Sequence, residues 1–496
     1  MAHREPVGLP DGPHSLRTAA PQVVVSDAFV DALIAELGAE AVSLDDQVRT
    51  AWGRDWWPRA AMWAVHGVVP AQPAVVVRPL NAGQVAATVR LAASHRVPLT
   101  PAAGRSGVCG GSAPVVGGAV VDLTALNQVV DVDDVSLWAR VQAGVFGVDL
   151  ETVLSSSGHT LGHWPQSIEI STVGGWLACR SAGQYSTRYG KIEDMVVALE
   201  VVNGSGSVLR TGGSPRASVG PDLTQLFVGS EGMLGVITEA VLRVHPTPIS
   251  EERAAYGFST FANGLDACRR ILRRGATPAV IRLYDEMESQ RSYGQATNLL
   301  LLLDEGDPEI IQAAMEVARQ ECQITPGVSR LDGELVTRWL EHRNDTSALG
   351  TAVTGGLVVD TIEIAASWSV LPRLYDEVIS SLREIQGTVA ASAHCSHSYT
   401  DGGCLYFTFA GHVGDDLETK DRYYCAAFSA AMNATMTAGG AISHHHGIGF
   451  NRAPYMAHAL GEETMNTLAG IKAVLDPGGI LNPGVLGLPS PFLPGG

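Results

Sequence analysis

Three glycine-lined segments and a run of histidines hold the residues best suited to chemistry. The first segment is the loop Pro101-Ala102-Ala103-Gly104-Arg105-Ser106-Gly107-Val108-Cys109-Gly110-Gly111, with four glycines in its last eight positions. Glycine leaves the N–H unobstructed by a Cβ, so a row of such amides after a strand can cradle a pyrophosphate. A tight connection between strands would use the same residues. The second segment is Gln166-Ser167-Ile168-Glu169-Ile170-Ser171-Thr172-Val173-Gly174-Gly175-Trp176. Its hydroxyls lead into a glycine pair and a helical stretch expected over 177–182, an arrangement that suits phosphate or ring oxygens. The third, Gly229 to Thr238, is a turn feeding a strand. Each alone is weak, and the ordered set of three is far more specific. The patterns GxGxxG and GxxxxGK[ST] are missing, because Gly190-Lys191 is followed by Ile192. Their absence argues against nicotinamide-dinucleotide and P-loop sites.

The run His444-His445-His446 suggests proton transfer near neutral pH or the binding of an oxyanion. A surface or packing role stays open. No metal site is expected: on a strand, neighbouring side chains point to opposite faces, so three consecutive histidines cannot meet one ion. The HExxH spacing is also missing. Tyr406 sits between Leu405 and Phe407, and from its neighbours alone it reads as a core residue.

The elements that must position these groups suggest a mixed α/β layer followed by a second domain. Residues 26–69 read as helical and aromatic-rich. Residues 74–79, 97–101 and 119–123 read as short strands, and Asn81 caps a helix through Ser94. After Pro246-Thr247-Pro248, helices at 261–274 and 308–322 alternate with strands at 279–285, 298–304 and 404–410. We therefore expect an α+β chain in four parts: a helical segment over 1–70, a cofactor-binding domain over 71–247, a cap over 248–430 with an antiparallel sheet, and a C-terminal segment over 431–496.

The chain has 496 residues, 46% of them hydrophobic, enough for a large core in more than one domain. Its 33 Lys and Arg against 51 Asp and Glu give a net charge of −18, which disfavours nucleic acid and anionic membranes as partners. Seven cysteines without a CxxC point to free thiols in a reducing compartment. The N-terminus has no apolar signal region and no stretch could span a bilayer, so a cytoplasmic location is expected.

The strings PAAGRSGVCGG, HWPQSIEISTVGGWLACRSAG, YSTRYGKIEDMV and GPDLTQLFVGSEGMLGVITEAVLRVHPTP resemble the FAD-binding domain of the vanillyl-alcohol-oxidase superfamily. Together with PAVIRLYD, VVDTIEIAASW, SYTDGGCLYFTFA and ISHHHGIG, they are most similar to its alkyldihydroxyacetonephosphate synthase (alkylglycerone-phosphate synthase) branch. The resemblance runs from about residue 50 to the end. It implies a two-part FAD-binding domain of the p-cresol methylhydroxylase (PCMH) type, an α/β cap, and a C-terminal segment that returns to the flavin. It also implies flavin contacts from Pro101, Ala102, Ala103, Gly104, Arg105, Ser106 and Gly107. Further contacts are implied from Gln166, Ser167, Ile168, Glu169, Ile170, Ser171 and Thr172, and from Cys179, Arg180, Ser181 and Ala182. The last group is Glu231, Gly232, Met233, Leu234, Gly235, Val236 and Ile237. Arg282, Tyr406, His444, His445 and His446 are implied as active-site groups. Arg343 matches a family arginine, although the interval from it to Asp360 is longer here than in the synthases.

Some members of the superfamily attach FAD through a histidine of the first glycine-rich loop. This loop has none, so FAD is expected to be non-covalent, with Cys109 the nearest nucleophile. The resemblance implies exchange of the acyl group of an acyl-dihydroxyacetone phosphate for a fatty alcohol, through a flavin N5 adduct and with no net redox. In that reaction Tyr406 and the histidines would handle protons, and Arg282 and Arg343 would hold the phosphate. Tyr406 would serve as a base if cationic neighbours stabilise its phenolate. The alternative is an oxidase or dehydrogenase that takes a hydride from an alcohol or a 2-hydroxy acid. A flavin-binding scaffold without catalysis is a third class. The expected partners are a small phosphorylated or carboxylate-bearing substrate, lipid-like in the synthase reading, and a second copy of the chain in a homodimer.

Overall fold

The computed structural model describes residues 6–18 and 20–494. Its first sheet has four strands in the order Val42–Ser43, Val75–Val77, Ala119–Asp122, Leu99–Ala102. The last three run parallel and Val42–Ser43 joins antiparallel. The helical character expected over 26–69 is realised in Asp27–Leu37, Asp46–Ala51 and Pro58–Val65, but Val42–Ser43 lies between them as an edge strand. Val75, Val77, Leu99, Ala119 and Val121 are fully buried. That explains why these strands are continuously apolar rather than alternating: a parallel sheet is covered on both faces. Helix Ala82–His95 packs on it through Val85 and Val89. It starts at Asn81, whose side chain accepts from Gln84 N, and stops where Arg96 turns left-handed at φ 55°.

A second sheet holds Val208–Gly212, Val196–Val202, Val236–Arg243, Trp138–Gln142 and Val129–Asp133, in that order, all antiparallel. The third glycine-lined segment feeds directly into its central strand. The second segment precedes helix Val173–Cys179, so Gly174 and Gly175 lie inside the helix rather than before it, and the stretch expected over 177–182 is mostly its end. Thr172 sets this start by accepting from Gly175 N, and Arg180 ends the helix in the left-handed region.

The cap is one antiparallel sheet of seven strands: Ser329–Leu331, Ser250–Phe258, Asn298–Gly306, Val280–Tyr284, Thr388–Ser398, Gly402–Gly411 and Val358–Ser367. Helices Phe261–Arg273, Pro308–Gln323, Leu371–Glu384 and Leu417–Ala438 pack against it. The last of these runs through residue 430, where the sequence reading places a boundary. In register, Glu363 faces Tyr406, Tyr406 faces His394, and His394 faces Tyr284, so a polar row crosses four adjacent strands.

The chain then returns to its beginning. Leu481 bridges Leu99 in parallel; Leu99 N donates to Ile480 O and Asn482 N to Leu99 O, both at 2.7 Å. Among the described residues no helix is long and apolar enough to cross a membrane, and all seven cysteines are unpaired.

Candidate functional site

One cavity joins the first two sheets to the polar row of the cap. Pro101 to Gly107 line it in full, with Gln166, Ser167, Ile170, Ser171, Thr172, Cys179, Ser181, Ala182, Glu231, Gly232, Gly235, Val236 and Ile237. At its other end stand Arg282, Tyr406, His445 and His446. The glycines let the segments cross closely: a Cβ on Gly104 would lie 2.4 Å from Ile170 O, and one on Gly111 3.0 Å from Glu231 Oε2. A Cβ on Gly107 would meet only Asp55 Oδ2, at 3.6 Å. Among the described residues the N–H groups of Gly104, Ser106 and Gly107 have no main-chain acceptor. Unpaired amides on a cavity wall are what a bound anion would satisfy, so the first loop fits the pyrophosphate of FAD.

Five residues of the expected flavin shell and one expected active-site cation sit elsewhere. Ile168 is 2% exposed and packs into the core, and Glu169 is exposed. The side chain of Arg180 turns toward Glu193 at 3.5 Å. Met233 and Leu234 are core residues. Arg105 contributes backbone to the wall, while its guanidinium donates to the carbonyls of Ala51 and Arg54 and covers the Trp52 ring. Arg343 does not line the cavity. Its guanidinium lies over the rings of Trp164, Tyr185 and Trp339 at 5.0–5.7 Å and donates to Gln184 Oε1 at 3.2 Å. These aromatic faces hold a cation well, which leaves Arg282 as the arginine at the cap end of the cavity.

Arg282 is fixed by a chain of hydrogen bonds. It donates to Tyr284 OH at 2.7 Å and to His394 Nε2 at 2.6 Å, and His394 Nδ1 lies 3.1 Å from Glu288 Oε1. A neutral imidazole can accept from Arg282 and donate to Glu288 only with its proton on Nδ1. Burial and the Arg282 charge hold His394 below its ordinary range, in keeping with that neutral form. The His394 ring stacks on Tyr406 at 4.9 Å. Tyr406 OH donates to Thr361 Oγ1 at 3.0 Å. Burial, with Glu363 and Asp360 adding to it, pushes the Tyr406 hydroxyl well up despite the Thr361 bond and the nearby Arg282. Held in its phenol form, the tyrosine can give or share a proton.

The three histidines lie in a loop, not on a strand, so the argument that their side chains must diverge does not apply. Glu363 shapes the loop. Its Oε1 accepts from Ser443 Oγ at 2.7 Å and from the N–H groups of His444, His445 and His446 at 2.8–3.2 Å. Its Oε2 lies 3.1 Å from His446 Nδ1. Burial alone would raise this carboxyl, but the paired Arg452 guanidinium and His446 hold it well below the carboxylate range. Glu231 secures the other end of the loop by accepting from Ile448 N and from Gly449 N at 2.8 Å. Burial pushes the Glu231 carboxyl up to about 7. His444 faces away from the cavity, with Nε2 3.1 Å from Tyr399 OH and Nδ1 2.9 Å from His445 Nδ1.

Four groups were missed in the sequence: His394, His397, Glu363 and Arg452. The first three carried a signal. His394 and His397 stand in a strand of small residues, ASAHCSHS, and Glu363 interrupts the apolar run VVDTIEIAA. A charged or imidazole side chain on a buried strand needs a partner, which makes it informative. Arg452 gave no signal of its own.

Comparison with known proteins agrees with this geometry. Residues 73–212 match a family model described as an FAD binding domain, and residues 247–486 match the C-terminal domain of FAD linked oxidases. An uncharacterized FAD-linked oxidoreductase, YgcU of Escherichia coli (strain K12), is 31% identical over 477 residues, covering 92% of this chain and 98% of that protein. A solved alkyldihydroxyacetonephosphate synthase is similar at 26% identity with a TM-score of 0.78, over 96% of this chain and 90% of its own. A solved p-cresol methylhydroxylase shares the fold at 18% identity, also with a TM-score of 0.78, over 95% of this chain and 99% of its own. The α+β, PCMH-type fold and the FAD cofactor expected from the sequence are thereby established, and this chain belongs to the FAD-linked oxidase family.

Proposed function

We propose that this chain is an FAD-dependent enzyme acting on a small anionic substrate. Its reaction would resemble that of alkylglycerone-phosphate synthase: an acyl-dihydroxyacetone phosphate and a fatty alcohol give the alkyl ether and a free fatty acid. The observation that carries this reading is the Arg282–His394–Tyr406 cluster, set across one cavity from the three glycine-lined segments. FAD, held without a covalent bond by the loop 101–107, supplies an electron sink. Arg282 grips the anion, Tyr406 presents a phenol proton, and His446, beside Glu363, can relay a proton. A second, largely apolar cleft of about 640 Å³ lies behind the histidine loop, lined by Met436, Ile442, Met456 and Leu468 among others. It suits an alkyl chain.

A second reading is an oxidoreductase that takes a hydride from an alcohol or a 2-hydroxy acid. The position of Arg343 favours it, because one cavity arginine suffices for a carboxylate. Anaerobic addition of substrates to the yellow enzyme separates the two. Acid release of palmitate from palmitoyl-dihydroxyacetone phosphate, dependent on hexadecanol and without lasting bleaching, supports exchange. Lasting bleaching by a 2-hydroxy acid or an alcohol supports hydride transfer and rejects exchange. Acid precipitation that leaves the flavin in the pellet would reject the non-covalent cofactor.

A further inference from the structure

We infer that Trp56 binds FAD: its ring closes the cavity beside the glycine-rich loop, and its indole N–H donates to an oxygen of the cofactor. Trp56 stands in the short stretch between helices Asp46–Ala51 and Pro58–Val65, ahead of the residues that match the FAD binding domain. It lines the same cavity as Pro101 to Gly107. The residue is only 7% exposed, and its Nε1 has no acceptor among the described residues. An indole nitrogen can only donate, and a buried donor without a partner is costly. FAD offers acceptors along its length, in the pyrophosphate, the ribityl hydroxyls and the ring carbonyls.

The chain around Trp56 is built to hold the glycine-rich loop. Trp56 N donates to Gly107 O at 2.9 Å, which sets the residue beside the amide row that fits the pyrophosphate. Asp55 Oδ1 accepts from Trp57 N at 3.1 Å, and Asp55 Oδ2 accepts from Ser112 N at 3.4 Å. Arg105 reaches out of the loop to the carbonyls of Ala51 and Arg54 and to the Trp52 ring. Gly110, at φ 80°, lets the Trp57 ring come close: a Cβ there would lie 3.0 Å from Trp57 Cε3. Four points of the loop are thus held by residues 51–57. Trp57 carries the hold on into the cap. Its Nε1 donates to Tyr424 OH at 3.1 Å, and Tyr424 OH donates to Asp360 Oδ2 at 2.6 Å. The two adjacent tryptophans therefore differ in kind. Trp57 spends its N–H on the cap helix and anchors the segment, whereas the N–H of Trp56 is left for the cofactor.

The test uses the flavin-loaded protein and three substitutions. Trp56→Phe keeps an aromatic ring and removes the N–H, and Trp56→Leu removes the aromatic face as well. Trp57→Phe loses the bond to Tyr424 instead. FAD release is followed at room temperature after dilution, as the rise in fluorescence of free flavin, and melting is followed by far-UV dichroism. Trp56→Phe should release FAD about 3- to 10-fold faster than the wild type, the contribution of one hydrogen bond, and Trp56→Leu faster still. Trp57→Phe should melt at a lower temperature yet release FAD more slowly than Trp56→Phe. Release from Trp56→Phe at the wild-type rate overturns the contact, and a lower melting temperature without faster release makes Trp56 a packing residue. Equal release from Trp56→Phe and Trp57→Phe would mean a loosened segment rather than a lost contact, and also overturns it. If Trp56→Leu does not fold, Trp56→Phe decides alone. None of these readings depends on turnover, so this proposal and the proposed reaction fail separately.

Discussion

Tyr406 separates a core reading from a functional one. Its hydroxyl donates to Thr361 at 3.0 Å and its ring stacks on His394 at the cavity wall. Tyr406→Phe removes only the oxygen, so flavin content should match the wild type. Turnover should fall by ~100-fold or more, the loss of a general acid–base group; near wild-type turnover at full flavin occupancy would make the hydroxyl idle. Glu151 offers a pH signature remote from the cavity. It accepts from Thr160 Oγ1 at 2.9 Å and Leu161 N at 3.0 Å, and burial raises it from 4.5 to about 7. A carboxyl whose folded value is raised stabilises the fold fully below its unfolded value, and that contribution is lost as pH rises through the folded one. In wild type, then, this contribution declines between 4.5 and about 7. Glu151→Gln never ionises, so its melting temperature relative to wild type should climb across that window, as followed by scanning fluorimetry at stepped pH. A constant difference would mean that Glu151 is charged when folded.

At the scale of elements, the glycine-rich loop contains two kinds of glycine. Gly104 is needed by the protein itself, since a Cβ there would collide with Ile170 O. Gly107 has room toward Asp55, so only a ligand along the amide row would object to a side chain. Gly104→Ala should therefore lower the melting temperature as well as the flavin content. Gly107→Val should fold with near wild-type far-UV dichroism yet purify with little colour; a fully yellow Gly107→Val protein would place the pyrophosphate elsewhere. This division could not be read from spacing, because both glycines have the same local sequence signal. What was legible followed from local rules: the Asn81 cap, the apolar parallel strands, the cap strands at 280–284 and 298–306. The flavin segments came from family resemblance, and the structure gathers most of them at one wall. Arg343, Ile168, Met233 and Leu234 depart because proximity in a motif does not decide which way a side chain faces. The convergence of His397 with His444 and His445 depends on a strand register and a loop far apart in sequence, so no window along the chain contains it.

At the scale of the whole molecule, the last residues complete what the first sheet begins. Asn482 Nδ2 donates to Gly111 O at 2.8 Å and to Glu231 O at 2.7 Å, joining the first and third glycine-lined segments. Asn482→Ala would leave the buried Glu231 carbonyl and the part-buried Gly111 carbonyl without this donor, at a cost of roughly 1–3 kcal/mol. It should lower the melting temperature and weaken flavin retention during dialysis, whereas unchanged retention would make the tether dispensable. The same closure imposes an order on synthesis. A ribosome delivers Leu99 long before Leu481, and the entire cap is made between them. Until then the edge of the first sheet at Leu99 stays open and the Gly111 and Glu231 carbonyls untethered. The cofactor wall is therefore completed only once the last residues have been made, and a polypeptide truncated before Asn482 would lack the tether between the first and third glycine-lined segments.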